Sequence, residues 1–384
     1  MNKYVYADNA ATTRLAPEAL EAMLPFLGEQ YGNPSSVYSF ADGPRRAMAA
    51  ARETVASVIG AKPDEVVFTS GGTEADNHAL AGAVRFGSKK HVITSAIEHH
   101  AVLHTLKKLK KEGVEVTVVG VNSDGIVDPA EIAAAIRPDT AIISVMAANN
   151  EVGSIQPIAE IGAIAREKGV LFHTDAVQAA GHIPLDVERM NIDLLSLSAH
   201  KFNGPRGVGA LYIRRGSRVS TLIEGGGQEK NRRSGTENVA GIVGLAKALE
   251  LSAADMESEG ARLSTLRDRM IDEILKIPDS HLTGPKENRL PGLASFTFGG
   301  IEGESLVLRL DLAGIAASSG SACSTASLDP SHVLLALGLT HEVAHGSLRL
   351  SLGRYSTDAD VDHILGTLPS TVKLLRAMSP VWTE

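Results

Sequence analysis

Between about residues 50 and 215, short β-like runs alternate with helix-length segments, and this alternation restricts the chain to a mostly parallel α/β sheet. The runs fall at 65–69, 91–95, 114–119, 140–146, 170–174, 194–198 and 208–213. Helical patterns at 73–85, 129–136 and 158–168 lie between several of them. Several of the strands are nearly all apolar, as expected where both sheet faces are covered. Useful polar residues follow the strands. Ser70 to Glu74 come after the first, Glu98 to His100 after the second, and Asn149 to Glu151 after the fourth. Asp175 and Gln178 follow the fifth, and His200 and Lys201 the sixth. In a parallel sheet those strand ends share one edge, where open α/β sheets bind ligands.

After residue 250 the texture changes. A long amphipathic helix is expected over 252–275, then a strand at 293–298, a helix at 304–312, a strand at 347–352 and a last helix from Asp358. We therefore expect a large α/β domain over 15–250. Residues 1–14 and 251–384 would form a smaller α+β domain.

Composition narrows the partners. The formal net charge is −8 and no long basic run exists, which argues against nucleic acid. The densest basic patch, Lys107 to Lys111, fits the solvated face of a helix. No signal-peptide stretch or bilayer-length apolar window is present, so a cytoplasmic location is expected. His99 and His100 are adjacent and lack a further Cys/His pair, so no metal site is expected.

The single cysteine, Cys323, sits in Ser318-Ser-Gly-Ser-Ala-Cys-Ser-Thr-Ala-Ser327. A packing cysteine lies among aliphatic residues, whereas this run of small and hydroxyl residues predicts an exposed, mobile loop. One cysteine also gives no internal disulfide and so no sign of an oxidising compartment.

Other residues leave two readings open. Gly71-Gly72-Thr73 before a helix fits a phosphate cradle, and Thr73 with Asp76 also fits a loose capping box. Gly72 and Thr73 match neither a P-loop nor a dinucleotide fingerprint. Lys201 fits either a surface lysine or one that holds a cofactor covalently. Asp175 can cap a helix or keep a pyridinium nitrogen protonated. His99 can cap a helix, or stack on a heteroaromatic ring and move protons. The run from Gly225 to Asn238 is a glycine-rich loop whose Arg233 to Thr236 segment also offers phosphate donors.

Taken together these residues resemble the NifS/IscS-type cysteine desulfurases, within the class V, fold-type I pyridoxal-phosphate enzymes. The motifs are Tyr6-Ala-Asp-Asn-Ala-Ala-Thr-Thr13, Tyr31-Gly-Asn-Pro-Ser-Ser36, Phe68-Thr-Ser-Gly-Gly-Thr-Glu-Ala-Asp-Asn77 and Glu98-His99. They continue with Ala148-Asn-Asn-Glu-Val-Gly153, His173-Thr-Asp-Ala-Val-Gln178, Ser198-Ala-His-Lys201 and Arg233-Ser-Gly-Thr236. The last are Ser319-Gly-Ser-Ala-Cys323 and Arg349-Leu-Ser-Leu-Gly-Arg354.

The resemblance implies a seven-stranded, mostly parallel sheet, a pyridoxal 5'-phosphate cofactor, and conversion of L-cysteine to L-alanine. Lys201 would hold the cofactor and move the substrate α-proton. Asp175 would pair with the ring nitrogen, Gln178 and Asn150 with the ring hydroxyl, and His99 would stack on the ring and handle the substrate thiol proton. Gly72, Thr73, Ser198 and His200 would hold the phosphate, with Thr236 reaching in from the partner of a homodimer. Arg349, helped by Asn33, would clamp the substrate carboxylate. Cys323 would take the sulfur as a persulfide for an acceptor protein such as an iron–sulfur scaffold. Selenocysteine lyase or another class V enzyme is the alternative. The family often has glycine where this chain has Ala199, a small-for-small change. Housekeeping members carry a C-terminal tail longer than one ending at Glu384, so scaffold engagement is the less firmly implied part.

Overall fold

The computed structural model describes residues 4–320 and 330–382. Strands, in chain order, are β1 (Val5–Tyr6), β2 (Val66–Thr69), β3 (His91–Ser95), β4 (Glu115–Val119), β5 (Thr140–Ser144) and β6 (Leu171–Asp175). They continue as β7 (Leu194–Ser198), β8 (Gly209–Ile213), β9 (Ser280–Leu282), β10 (Leu293–Phe298), β11 (Ile315–Ala316) and β12 (Ser347–Ser351). The large sheet has seven strands in the order β2-β8-β7-β6-β5-β3-β4. Only β8 runs against the rest, pairing antiparallel with both β2 and β7. The C-terminal ends of the other six therefore lie on one edge, as the alternation requires.

Burial explains why the strands read as apolar. Every residue of β2, β3, β5, β7 and β8 is buried, because helices cover both faces. One face packs Ile93, Ile143, Phe172, Leu195 and Tyr212 into the largest core cluster. The other packs Val67, Val92, Ile142, Leu194 and Leu211 against the helices Gly72–Phe86 and His100–Lys111. The lysines of 107–111 lie at the end of that second helix and face solvent.

A second core gathers Leu263, Met270, Phe296, Leu306, Leu348, Val361 and Leu368 around the sheet β12-β10-β9. Val5 and Ala7 belong to it, because β1 pairs with β11. The helix expected over 252–275 is largely Met256–Ile274, but the expected range starts in the last turn of a preceding helix, Val239–Ala254, and so runs across a break. Asp255 breaks it at φ −101° and ψ 2°, and its carboxylate accepts a 2.6 Å bond from Arg354. The two pieces serve different cores: Leu245 and Leu249 pack in the first, Leu266 and Met270 in the second. A continuous amphipathic pattern does not distinguish which core each turn faces.

Candidate active site

Five strand ends and the N-terminal segment surround a cavity of about 540 Å³. Its lining includes Gly72, Thr73, His99, Asn150, Asp175, Gln178, Ser198, His200, Lys201 and Arg349, all singled out from sequence. Asn33 and Thr236 are exposed and lie outside that lining. Asn33 instead accepts the amide of Ser35 in a local turn at 2.9 Å. Cys323 falls in 321–329, outside the described residues, so the expected loop carries no structural statement.

The floor near β2 is shaped by glycine. Gly71 has φ +152° and ψ −179°, a conformation open to glycine and strained for other residues. A Cβ on Gly209 would lie 2.7 Å from the Gly71 Cα and 2.5 Å from the Leu197 carbonyl oxygen. Both residues must be glycine for β8 to start beneath the turn. Gly71 is the N-cap of the helix, with no side-chain cap, so the capping box read from Thr73 and Asp76 does not form. The leading amides of Gly72, Thr73 and Glu74 have no intrahelical acceptors and carry the positive end of the helix dipole. Ser198 and His200 line the same end. His200 accepts or donates at 3.1 Å with Thr12 Oγ1. Burial, with the charges of Lys201 and Arg206, drops its pKa to about 4, so it is neutral.

At the centre, Lys201 ends the short turn Ala199–Lys201 that follows β7. Its Nζ donates to the carbonyls of Ala10 and Ala11 at 2.6 and 2.9 Å. Asp175, the last residue of β6, is buried and accepts the Val177 amide at 2.9 Å. Burial raises its pKa, against the opposing pull of that amide and of Lys201. Such a carboxylate gains from a cationic partner in the cavity. His99 caps the helix His100–Lys111, its Nδ1 accepting the Ala101 amide at 3.1 Å. That bond leaves the ring proton on Nε2. Burial, and then Lys201 and His100, lower the His99 pKa to about 4. The cap and the cavity-lining role thus hold together in one residue.

Arg349 enters from β12, 3% exposed. One nitrogen donates to Asp8 Oδ1 at 2.8 Å and another to the Asn150 carbonyl at 2.9 Å. Its Nε is buried without a partner. An unmet guanidinium donor at a cavity wall suits an incoming carboxylate.

Three wall and support residues, Asp76, Arg206 and Glu98, carry no site role in the sequence reading. Asp76 lines the cavity with a buried, unpartnered Oδ1, and burial and the nearby Asp175 push its pKa well above the usual carboxylate range. It lies 3.6 Å from His173 Nε2, a ring held between Ser144 and Ser196. Asp76 is on the same helix face as Thr73, a signal that the capping interpretation absorbed. Arg206 also faces the cavity, and Glu98 lies behind it, accepting the Met146 amide at 3.0 Å. Among the described residues, no group of three or more His, Cys, Asp or Glu is arranged to hold a metal, and no helix is long and apolar enough to cross a membrane.

The donor set suits a phosphorylated, cationic heteroaromatic group: free helix amides, hydroxyls, a buried carboxylate and a lysine line one cavity. Comparison with known proteins agrees. The family model "Aminotransferase class-V" matches residues 5–364. The chain is 55% identical to the cysteine desulfurase IscS of Clostridium botulinum, over all of this chain and 98% of that protein. It is 55% identical to the cysteine desulfurase IscS of Methanosarcina thermophila, over 99% of this chain and 95% of that one. A solved NifS-like protein superimposes with a TM-score of 0.92 at 40% identity, covering 97% of this chain and all of the other.

Proposed function

The chain belongs to the class-V aminotransferase family, and we propose that it works as a pyridoxal-phosphate-dependent cysteine desulfurase, with the sulfur of L-cysteine passing to Cys323. The observation that carries this is the convergence of Lys201, Asp175, His99 and the Gly72–Thr73 helix end on one cavity that Arg349 also enters. The bound cofactor supplies an electron sink for the negative charge left when the substrate α-carbon loses its proton.

The protein's own groups then have distinct tasks. Gly72, Thr73, Ser198 and His200 bind the phosphate through amides, hydroxyls and imidazole. Asp175 holds the proton on the ring nitrogen, and Gln178 and Asn150 orient the ring hydroxyl. Lys201 attaches the cofactor, then takes the α-proton and returns it to the product side. His99 covers the ring face, and with Nδ1 occupied by the Ala101 amide its Nε2–H is the group that can donate to the substrate sulfur. Arg349 grips the substrate carboxylate with its unpartnered Nε. Cys323, as a thiolate, forms a new S–S bond with the substrate sulfur as the carbon–sulfur bond breaks. The bonding electrons stay with carbon, the thiol becomes a persulfide, and alanine leaves after protonation.

Other parts of the reading are coarser. The exposed apolar residues Leu20, Leu24, Leu27, Tyr31, Val37, Tyr38 and Phe40 support a homodimer in which Thr236 serves the partner's phosphate site. The membership of Val5 and Ala7 in the second core supports a boundary near residue 250, with 1–14 joining 251–384. A cytoplasmic location and an iron–sulfur scaffold as acceptor complete the proposal.

The test is colour and turnover. Protein reconstituted with pyridoxal phosphate should absorb visible light and make alanine from L-cysteine, and Lys201→Ala should lose about a thousandfold or more of that turnover. Protein that takes up no cofactor would overturn the reading.

A further inference from the structure

Glu151 has no part in the chemistry so far, yet it is 7% exposed beside the site. It follows Asn150 in the turn after β5, and its amide donates to Asn149 Oδ1 at 2.8 Å. Its Oε2 accepts the hydroxyl of Ser331. That Ser331 oxygen also caps the helix His332–Ala336, accepting the amides of Val333 and Leu334 at 3.1 and 3.3 Å. The one hydroxyl hydrogen is therefore committed to Glu151. On the other side of 321–329, a Cβ on Gly320 would lie 3.4 Å from the same Glu151 oxygen.

The contacts around these residues lead back to Arg349. Gly320 N donates to Ser347 Oγ at 3.1 Å. Ser318 and Arg349 exchange backbone bonds at 3.2 and 2.7 Å, and Ser318 Oγ donates to Asp8, the partner of Arg349. Asn150, next to Glu151, gives its carbonyl to Arg349. Packing alone does not call for an acid at this position. Val152, Val333 and Leu334, close to Glu151 and Ser331 in the chain, belong to an apolar cluster with Ile97, Met146 and Leu337. A buried carboxyl is costly unless its bonds serve something. Burial lifts this one to about 7, opposed by Ser331 and by the charge of Arg349.

We propose that Glu151 is a positioning residue for sulfur transfer, fixing Ser331, which follows the segment bearing Cys323, against the turn that holds Arg349. This rests on the desulfurase reading. It separates two half-reactions: proton exchange at the α-carbon, which does not need Cys323, and sulfide release, which does.

The experiment uses full-length protein loaded with pyridoxal phosphate. It measures deuterium exchange at the α-carbon of L-alanine in heavy water, and sulfide release from L-cysteine with dithiothreitol. In Glu151→Ala, sulfide release should fall about tenfold or more while exchange stays within about twofold of wild type. Ser331→Ala should show the same split, which keeps the test open should Glu151→Ala not fold. Glu151→Gln keeps an oxygen acceptor and should recover most of the sulfide release. The double variant Glu151→Ala/Ser331→Ala should be no slower than the worse single variant, because both remove one contact. Normal sulfide release in the single variants, or equal loss of both rates, would overturn the proposal. Wild type that exchanges no alanine would instead sink the desulfurase reading itself.

Discussion

Asp175, Ser198 and Lys201 reach the cavity from the ends of β6 and β7, strands set in the larger core, whereas Arg349 reaches it from β12 in the second core. The first group is held by the sheet. Asp175 needs one local amide, and Lys201 follows its strand by a single short turn. The second group is held by polar bonds between distant segments: Asp8, Asn150, Ser318 and Glu151 all converge around Arg349 and the residues next to 321–329. The proposed function thus assigns the cofactor chemistry to the sheet side. It assigns substrate grip and sulfur handling to the side where the two cores meet. Damage to the sheet side should lower the rate of the proton step. Damage to the other side should change substrate affinity or sulfur release first.

The largest effect among the variants that probe this division is expected at Asp175. Under the proposed function, Asp175→Asn would remove a buried charge assigned to the ring nitrogen, a contact worth roughly 1.5–3 kcal/mol. Turnover and alanine exchange should both fall by roughly ten- to a hundredfold. An unchanged exchange rate would move Asp175 out of the chemistry. Next comes Arg349→Lys, which keeps the charge but loses the fork. The KM for L-cysteine should rise about tenfold with kcat falling less. Steady-state kinetics showing the reverse would place Arg349 on the rate-determining side of the comparison.

The smallest effect concerns Glu98, which sits behind the sheet edge. Burial raises its pKa from 4.5 to about 8, against the bonds from Ser95 and the Met146 amide. The folded protein prefers the neutral acid, so the stabilisation is full below the unfolded value of 4.5 and is lost as pH rises through about 8. Thermal melting of cofactor-free protein should therefore decline across that window, and the decline should shrink in Glu98→Gln. A variant whose melting curve keeps the wild-type pH dependence would show that Glu98 is ionised in the fold.

The sheet side was the more legible half in the sequence. Strands at 91–95 and 194–198 and the helix Ile158–Lys168 match the expected ranges, because burial on both faces and a single helical stripe leave plain local patterns. Asp175, His99 and Lys201 could be placed for the same reason: each follows such a pattern closely. The other half depends on contacts across the chain. Nothing near Glu151 points to Ser331, and nothing near Asp8 points to Arg349 or Ser318. The helix break at Asp255 likewise depends on Arg354 and on two cores that no local period distinguishes. Asp76 was misjudged through local chemistry, since its spacing from Thr73 imitates a cap while its carboxyl is buried against the cavity.

The most direct test of the central claim is L-cysteine turnover by Cys323→Ala, with alanine exchange measured on the same preparation. Our account predicts that sulfide release is lost while the bound cofactor keeps its colour and alanine still exchanges its α-proton. Sulfide release at the wild-type rate would contradict it, because the sulfur would then leave without passing through Cys323.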